Sequence, residues 1–156
     1  MKLLIQGPVK SGKTTLTQKI IRANRLKIFG IKTKKTATGI TIGYVKNGKL
    51  VEWRKCADNV FGKMIPIKEA FDSFGSEIIL RLIKTKNEKT AYLVDEIGFV
   101  ELVSEKYCDL LIKLLSKKKK VIAVIKDKEN PLINRIKKIK GYRRIYITPA
   151  NRDSIL

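Results

Sequence analysis

Apolar runs and amphipathic segments alternate along most of the chain. The apolar runs predict buried strands at 2–6, 91–94, 121–125 and 144–147. Between them, apolar residues recur at helical spacing, which predicts helices at about 13–24, 67–84, 104–116 and 131–138. Strands that alternate with helices are typical of a three-layer α/β domain with a mostly parallel sheet.

Residues 27–54 follow a different, strand-like alternation. It divides into three predicted strands, at 27–34, 39–46 and 49–54. The Asn47-Gly48 dipeptide between the last two is a strong signal for a tight hairpin. We therefore expect an antiparallel β-meander, inserted at about 27–66 in the α/β domain.

Composition narrows the class of protein. A length of 156 residues suits one domain over 1–156, and 44% hydrophobic with 31% charged residues is typical of a soluble globular protein. No apolar run approaches the ~20 residues that cross a bilayer, so we expect no membrane association and a cytoplasmic location. Cys56 and Cys108, in a chain without histidine, predict two buried free thiols rather than a zinc site.

The charge is strongly positive. Lysine and arginine total 35 against 14 aspartate and glutamate, which gives a net charge of +21, and the first acidic residue is Glu52. Such a field attracts polyanions. The excess is mostly lysine with few aromatic residues beside it, whereas specific nucleic-acid readers favour arginine forks and stacking platforms. Nucleic acid is therefore a partner that the composition allows but does not favour.

A phosphate-binding loop follows the first predicted strand. The chain reads GPVKSGKTT at 7–15, and Gly7, Gly12, Lys13 and Thr14 fill the pattern G-x-x-x-x-G-K-[ST]. The glycines allow backbone N–H groups to turn inward around phosphate oxygens, and the following helix directs its positive end at them. The predicted nucleotide-binding residues are Gly7, Pro8, Val9, Lys10, Ser11, Gly12, Lys13, Thr14 and Thr15. The sequence therefore predicts a protein that binds a nucleoside triphosphate.

Two adjacent carboxylates end the strand at 91–94. A parallel strand would bring Asp95 to a Mg²⁺ ion, opposite the Thr14 hydroxyl. Glu96 can then orient a water molecule for in-line attack, because neighbouring residues of an extended backbone point in different directions. We therefore predict Glu96 and Lys13 as catalytic residues, and Thr14 and Asp95 as metal ligands.

Other phosphate-transfer chemistries fit less well. The segment at 95–98 also satisfies the D-x-x-G pattern of switch GTPases, but the chain has no N-K-x-D guanine reader. A nucleotide kinase needs a lid and several arginines for an acceptor phosphate, and arginine is sparse. Hydrolysis is the simpler interpretation, and a nucleotide or small-molecule kinase with weak triphosphatase activity stays an alternative, as does a nucleic-acid-associated ATPase.

Five segments in one order resemble the thermophilic and cancer-related nucleoside-triphosphatase family. They are GPVKSGKTTL, Gly30-x-x-Thr33, Phe61-Gly62-Lys63, Asp95-Glu96-Ile97-Gly98-x-x-Glu101-Leu102 and Thr148-Pro149-x-Asn151-Arg152. The resemblance covers nearly the whole chain. It implies a three-layer P-loop NTPase fold with a mostly parallel sheet and an antiparallel β insertion. It also implies hydrolysis of several nucleoside triphosphates (ATP, GTP, CTP and others) to diphosphates by a Mg²⁺-dependent enzyme; we expect a monomer.

The chain departs from the family pattern at three positions. The family commonly has glycine where Lys10 stands, an acidic residue near Lys35, and lysine where Phe99 follows Gly98. The first departure adds positive charge beside the phosphates. The other two leave the roles of the family's residues there unassigned in this chain.

Further residues have functional and structural interpretations of similar weight. Glu101 either supports the attacking water or begins the next helix, and Asn151 and Arg152 either line the base or ribose region or clamp the C-terminus. Trp53 and Tyr44 are expected to pack on the face of the inserted sheet, with base stacking as the alternative. An arginine finger cannot be assigned, and its candidates are Arg54, Arg135, Arg143 and Arg144.

Overall fold

A computed structural model describes residues 1–155, in which eight strands form one sheet with helices on both faces. The strands are β1 Lys2–Gly7, β2 Lys27–Thr36, β3 Gly39–Lys46, β4 Lys49–Val60, β5 Lys63–Pro66, β6 Thr90–Ile97, β7 Val121–Lys126 and β8 Arg143–Tyr146. The α-helices are α1 Lys13–Ala23, α2 Ser76–Lys84, α3 Glu105–Lys117 and α4 Pro131–Lys137. A π-helical segment, Ala70–Gly75, leads into α2, and a 3₁₀ turn, Val100–Val103, precedes α3.

The sheet is parallel over most of its width. Its strand order is β5-β4-β3-β2-β6-β7-β1-β8, and β2, β6, β7, β1 and β8 pair in parallel. The remaining strands, β3 to β5, extend it as an antiparallel wing. The predicted α/β fold class is therefore confirmed.

The wing differs from the predicted meander at both ends. The strand β2 pairs antiparallel with β3 on one edge but parallel with β6 on the other, so it also belongs to the parallel part of the sheet. The strand β4 continues beyond residue 54 to Val60, and a second hairpin leads into β5. The turn of that hairpin uses Phe61 and Gly62, both at positive φ, 50° and 82°. Because phenylalanine rarely adopts a left-handed backbone, the sequence carried no clear turn signal there.

Two apolar cores lie on the two faces of the sheet. The larger one is covered by the helices from residue 68 onwards, where the rings of Phe71 and Tyr107 meet edge-to-face with centroids 5.1 Å apart. The smaller one lies beneath α1. Cys56 and Cys108 are buried free thiols, as predicted. Within residues 1–155, no helix has the length and apolar character to cross a membrane.

The helix predicted at 67–84 is not uniformly α-helical. The Ser76 hydroxyl donates to the carbonyl of Phe71, five residues earlier, at 2.7 Å, within a turn that is wound as a π-helix. A π segment widens the turn by one residue and shifts the side chains that precede it around the helix axis. This shift lies where the helix packs against α3 and against the strands β3 and β4.

Close approach of β2 and β6 depends on Gly30. A Cβ atom placed on Gly30 would lie 2.0 Å from the carbonyl oxygen of Leu93 in β6. Since both partners are backbone, a larger residue would force the two strands apart. The ends of these strands carry the polar residues of the candidate site, so Gly30 controls their spacing.

We predict that Gly30→Ala lowers the free energy of unfolding by about 3 kcal/mol, because it overpacks a backbone contact. Gly62→Ala is the matched control, since a Cβ there meets nothing within 4 Å and adds only the strain of its positive φ, about 1 kcal/mol. Urea unfolding of both variants measures the difference. Equal losses of unfolding free energy in the two variants would show that β2 and β6 can accommodate a side chain at Gly30.

Candidate active site

The loop between β1 and α1 is built around two glycines that are needed for different reasons. A Cβ on Gly7 would lie 2.2 Å from the carbonyl oxygen of Ile147 and 2.8 Å from Oγ of Ser11. Gly12 has φ of 105°, a left-handed conformation, directly before the first turn of α1. Gly7 is thus required because there is no room for a side chain, whereas Gly12 is favoured because of its left-handed backbone.

Lys13 folds back over this loop. Its Nζ donates to the carbonyl of Gly7 at 2.7 Å and to that of Pro8 at 2.8 Å, and the side chain is buried. An ammonium group has three protons, so one remains for a phosphate oxygen. Thr14 and Thr15 are exposed on the first helical turn, where backbone N–H groups lack helical partners.

The middle of the loop is under local strain. Lys10 has φ of 59°, a conformation that costs a residue with a Cβ about 1–2 kcal/mol and explains why glycine suits this position. The Ser11 hydroxyl is buried and has no hydrogen-bond partner within the described residues. Val9 is exposed at the tip of the loop. The loop therefore exposes Val9 and Lys10, whereas the buried Ser11 hydroxyl is turned inward.

Asp95 lies at the end of β6, buried, with its Oδ2 3.5 Å from Nζ of Lys32 on β2. Burial raises the pKa of the Asp95 carboxyl, and the nearby Lys32 ammonium acts in the opposite direction. Sequence reasoning missed Lys32, because the partner of a strand end depends on sheet order. The lysine is half-exposed, so its side chain can leave the carboxylate for solvent.

The backbone changes direction at Glu96. This residue has φ of 66°, and the pairing of β6 with β7 skips from Val94 to Ile97. The Thr33 hydroxyl of β2 donates to the carbonyl of Glu96 at 2.9 Å and holds this bulge. Bulges of this kind re-aim a side chain. As a result, Asp95 is buried while Glu96 is only partly buried.

Glu101 turns back into its own loop. Its Oε2 accepts the N–H of Gly98 at 3.0 Å, its carbonyl accepts the Cys108 thiol at 3.2 Å, and the residue is only 2% exposed. Burial raises the pKa of the Glu101 carboxyl to about 7. This side chain shapes the loop after Glu96 and does not face open solvent.

Asn130 holds the same loop from the other side. Its Nδ2 donates to the carbonyl of Gly98 at 3.0 Å, and its Oδ1 accepts the N–H of Ile133 as the N-cap of α4. Sequence reasoning gave Asn130 no role, although an asparagine directly before a helix-starting proline is a capping signal. Gly98 is thus fixed through both its N–H and its carbonyl.

The two C-terminal candidates have separate roles. Asn151 builds the turn after β8, because its Oδ1 accepts the N–H of Thr148 at 2.7 Å and its Nδ2 donates to the carbonyl of Tyr146 at 3.0 Å. Arg152 reaches the phosphate loop, since a Cβ on Gly12 would lie 3.4 Å from its Cδ. A pocket of about 230 Å³ opens there, lined by Gly12, Thr15, Leu16, Lys19, Ile147, Arg152 and Asp153.

None of the four arginine-finger candidates is brought to the loop in the structure. Arg54 stacks on the ring of Phe74, and Arg135 pairs with Asp109 at 3.0 Å. Arg144 donates to the carbonyl of Lys137, and Arg143 lines a separate cavity of about 390 Å³. That cavity contains none of the predicted nucleotide-binding residues.

The chain is similar in sequence to known nucleoside-triphosphatases. The chain is 29% identical to nucleoside-triphosphatase THEP1 of Aquifex aeolicus, over 100% of this chain and 95% of the relative. It is 30% identical to nucleoside-triphosphatase THEP1 of Thermotoga petrophila, over 100% of this chain and 89% of the relative.

Solved structures show the same fold. The crystal structure of THEP1 from Aquifex aeolicus superposes with a TM-score of 0.79 at 27% identity, over 99% of this chain and 94% of the other. The solution structure of a human cancer-related nucleoside triphosphatase has a TM-score of 0.74 at 17% identity, over 99% of this chain and 92% of the other, and shares the fold. A sequence model described as NTPase matches residues 2–156. With its phosphate loop, its sheet order and this match over nearly its full length, the chain belongs to the NTPase family.

Proposed function

We propose that this protein hydrolyses nucleoside 5′-triphosphates to the diphosphate and phosphate, with Mg²⁺ and with relaxed base specificity. The observation that carries the proposal is that the phosphate loop and the two adjacent carboxylates, Asp95 and Glu96, lie at one edge of the sheet. Leu4 of β1 and Val94 of β6 both pair with Ala123 of the intervening strand β7. Because strands are spaced by about 4.8 Å, the ends of β1 and β6 lie about 10 Å apart, within reach of one triphosphate.

The loop supplies the phosphate contacts. In this proposal, N–H groups of the loop and of the first turn of α1 bind the phosphate oxygens. Lys13, held by the carbonyls of Gly7 and Pro8, adds its remaining ammonium proton. The positive end of the helix dipole strengthens these contacts. Thr15, Lys19 and Arg152 line the adjoining pocket and suit the α-phosphate and ribose. Since these groups are common to all nucleotides, such contacts support hydrolysis of several triphosphates.

The donor set fits Mg²⁺ held together with the nucleotide. Within residues 1–155, no group of three or more His, Cys, Asp or Glu side chains could hold a metal alone. Mg²⁺ commonly binds through one or two carboxylates plus substrate phosphates, which matches Asp95 and the Thr14 hydroxyl. When bound, Mg²⁺ would neutralise charge on the β- and γ-phosphate oxygens. Lys32 releases Asp95 for this role by turning its half-exposed side chain to solvent.

In the proposed mechanism, Glu96 acts on the attacking water. Its carboxylate accepts a hydrogen bond from the attacking water and orients the oxygen toward the γ-phosphorus. As that oxygen bonds to phosphorus, the bond to the bridging oxygen of the diphosphate breaks. The water proton passes to Glu96 or to the transferred phosphate. Thr33 fixes this position through the Glu96 carbonyl, so it is a positioning residue.

We predict that Glu96→Gln lowers turnover about 100-fold or more while nucleotide and Mg²⁺ binding persist, because the anion that orients water is lost. Asp95→Asn should instead weaken Mg²⁺-dependent binding. Single-turnover rates beside calorimetric binding, with and without Mg²⁺, distinguish the two. Glu105→Gln, an exposed change on α3, is the control and should leave both quantities unchanged. Turnover at the unmutated rate in Glu96→Gln would contradict the assignment of water activation to Glu96.

The buried Glu101 carboxyl should make the stability of the fold depend on pH. Its folded pKa of about 7 exceeds the ordinary 4.5 because of burial, and the difference corresponds to about 3 kcal/mol. The folded protein binds this proton more tightly than the unfolded chain does. Glu101 therefore contributes stability that is complete below about pH 4.5 and is lost as the pH rises to about 7.

Glu101→Gln should remove this loss, because the amide still accepts the Gly98 N–H but does not titrate. Urea unfolding between about pH 5 and pH 8 measures it. The unmutated protein should lose stability relative to the variant by about 2.5 kcal/mol over this range. Glu105→Gln controls for an exposed glutamate. A Glu101→Gln protein with the unmutated pH dependence would show that Glu101 is already ionised in the folded state.

A further inference from the structure

One face of the antiparallel wing continues directly from the candidate active site. Asp95 of β6, Lys32 of β2, Gly43 of β3 and Trp53 of β4 stand side by side in register. In-register residues of neighbouring strands share a face of the sheet. This row therefore runs outward from the metal-binding carboxylate to the tryptophan. With strands about 4.8 Å apart, Trp53 lies about 14 Å from Asp95.

A second row lies beside the first on the same face. Lys34 of β2, Thr41 of β3 and Lys55 of β4 are in register. Lys34 is two residues beyond Lys32, and residues two apart in a strand point to the same side. Leu50 completes the surface, since its Cδ1 lies 2.2 Å from where a Cβ on Gly43 would stand. We name this surface the Trp53 platform; it comprises Lys32, Lys34, Gly43, Leu50, Trp53 and Lys55.

The opposite face of the wing is covered, but the platform is open. On the covered face, Arg54 stacks on Phe74 before α2, and Glu52 pairs with Arg81 of α2 at 3.2 Å. On the platform, Trp53 is 58% exposed and Leu50 is 48% exposed. Tyr44, by contrast, is only partly exposed and lies under the Arg81 guanidinium. Of the two aromatic residues considered for stacking, only Trp53 offers a free ring.

The charge of the platform selects its ligand. Three lysines share this face of the wing with the indole. The acidic groups near them are Asp58, paired with Lys55 at 2.8 Å, and Asp95 at the inner end. An exposed ion pair such as that with Asp58 contributes little and gives way readily to another anion. An open aromatic ring flanked by cations suits a ligand that presents flat bases and regularly spaced phosphates. A duplex hides the flat faces of its bases, so the ligand must be single-stranded.

We propose that the Trp53 platform binds a single-stranded polynucleotide, with one base stacked on Trp53 and backbone phosphates paired with Lys34 and Lys55. This function is separate from triphosphate hydrolysis, because none of these three residues belongs to the catalytic or nucleotide-binding set. It also connects part of the chain's net charge of +21 with a partner, which composition alone could not do.

The test uses the full chain and fluorescein-labelled oligo(dT) and oligo(U) of about twenty nucleotides, longer than the ~4–16 that single binding folds cover. Trp53 is the only tryptophan, so its own fluorescence reports stacking directly. We expect quenching on binding, and Trp53→Ala should weaken binding about ten-fold in anisotropy titrations. Trp53→Phe should retain most of the affinity. The two oligonucleotides distinguish DNA from RNA as the preferred strand, and tight binding of either supports the proposal.

Lysine variants test the phosphate contacts. Lys34→Ala and Lys55→Ala should each lower affinity and reduce the slope of log affinity against log salt by about 0.7. Lys113→Ala removes the same charge from an exposed position of α3 and is the control, with affinity expected to stay within about two-fold. Triphosphate hydrolysis without oligonucleotide should be unchanged in all these variants, which separates failure of this proposal from failure of the proposed hydrolysis.

Several results would overturn the proposal. Binding without quenching of Trp53, or Trp53→Ala binding as tightly as Lys113→Ala, would reduce the platform to ordinary surface charge. Equal affinity for a duplex would mean that bases are not stacked, and equal quenching by thymidine monophosphate would identify a mononucleotide site. A dimer in which iodide cannot quench Trp53 would show that a second copy of the chain covers this face.

Discussion

A hydrogen bond between two strands, from the Thr33 hydroxyl to the Glu96 carbonyl, holds the candidate site in its arrangement. Glu96 adopts a left-handed backbone that costs a residue with a side chain about 1–2 kcal/mol. A strained backbone persists where the surrounding structure holds it in place, and here the hydrogen bond from the neighbouring strand does so. Gly30 brings that strand close enough for the bond to form. The strain gives two adjacent carboxylates two different environments.

The two buried charges of the candidate site are each balanced by a nearby group. Asp95 is buried and offset by Lys32, while Lys13 is buried and held by the carbonyls of Gly7 and Pro8. Each buried charge therefore has a local partner, which limits the cost of taking it out of water. In the proposed complex the cation takes the place of Lys32 at Asp95, and Lys13 keeps both carbonyls while it binds a phosphate oxygen. Under the proposed function, this arrangement suits a ligand that carries many negative charges and a metal.

The local parts of this structure could be predicted from sequence. Hydrophobic spacing located the helices and the core strands, since burial of one face dictates that spacing. The phosphate loop was recognisable because its glycines serve backbone geometry at fixed offsets. The extension of β4 and the strand β5 were missed, because Phe61 adopts a turn conformation that its type does not signal.

Non-local features could not be obtained in this way. The pairing of Lys32 with Asp95, and of Asn130 with Gly98, depends on which strands and loops become neighbours. The exposure of Trp53 likewise depends on which face of the wing a helix covers, and alternation alone does not say. Sequence identifies the chemical groups of the site, whereas sheet order determines which of them meet.

The most direct test of the account compares Thr33→Val with Thr33→Ser in single-turnover hydrolysis of ATP. Valine keeps the shape but removes the hydroxyl, whereas serine keeps the donor. The account predicts that Thr33→Val slows the chemical step about ten-fold, since an unsatisfied carbonyl and a relaxed bulge displace Glu96. Nucleotide affinity should stay within about two-fold, because the phosphate loop is untouched, and Thr33→Ser should restore the rate. An unchanged rate in Thr33→Val, or a loss confined to nucleotide affinity, would contradict the claim that this hydrogen bond positions the catalytic carboxylate.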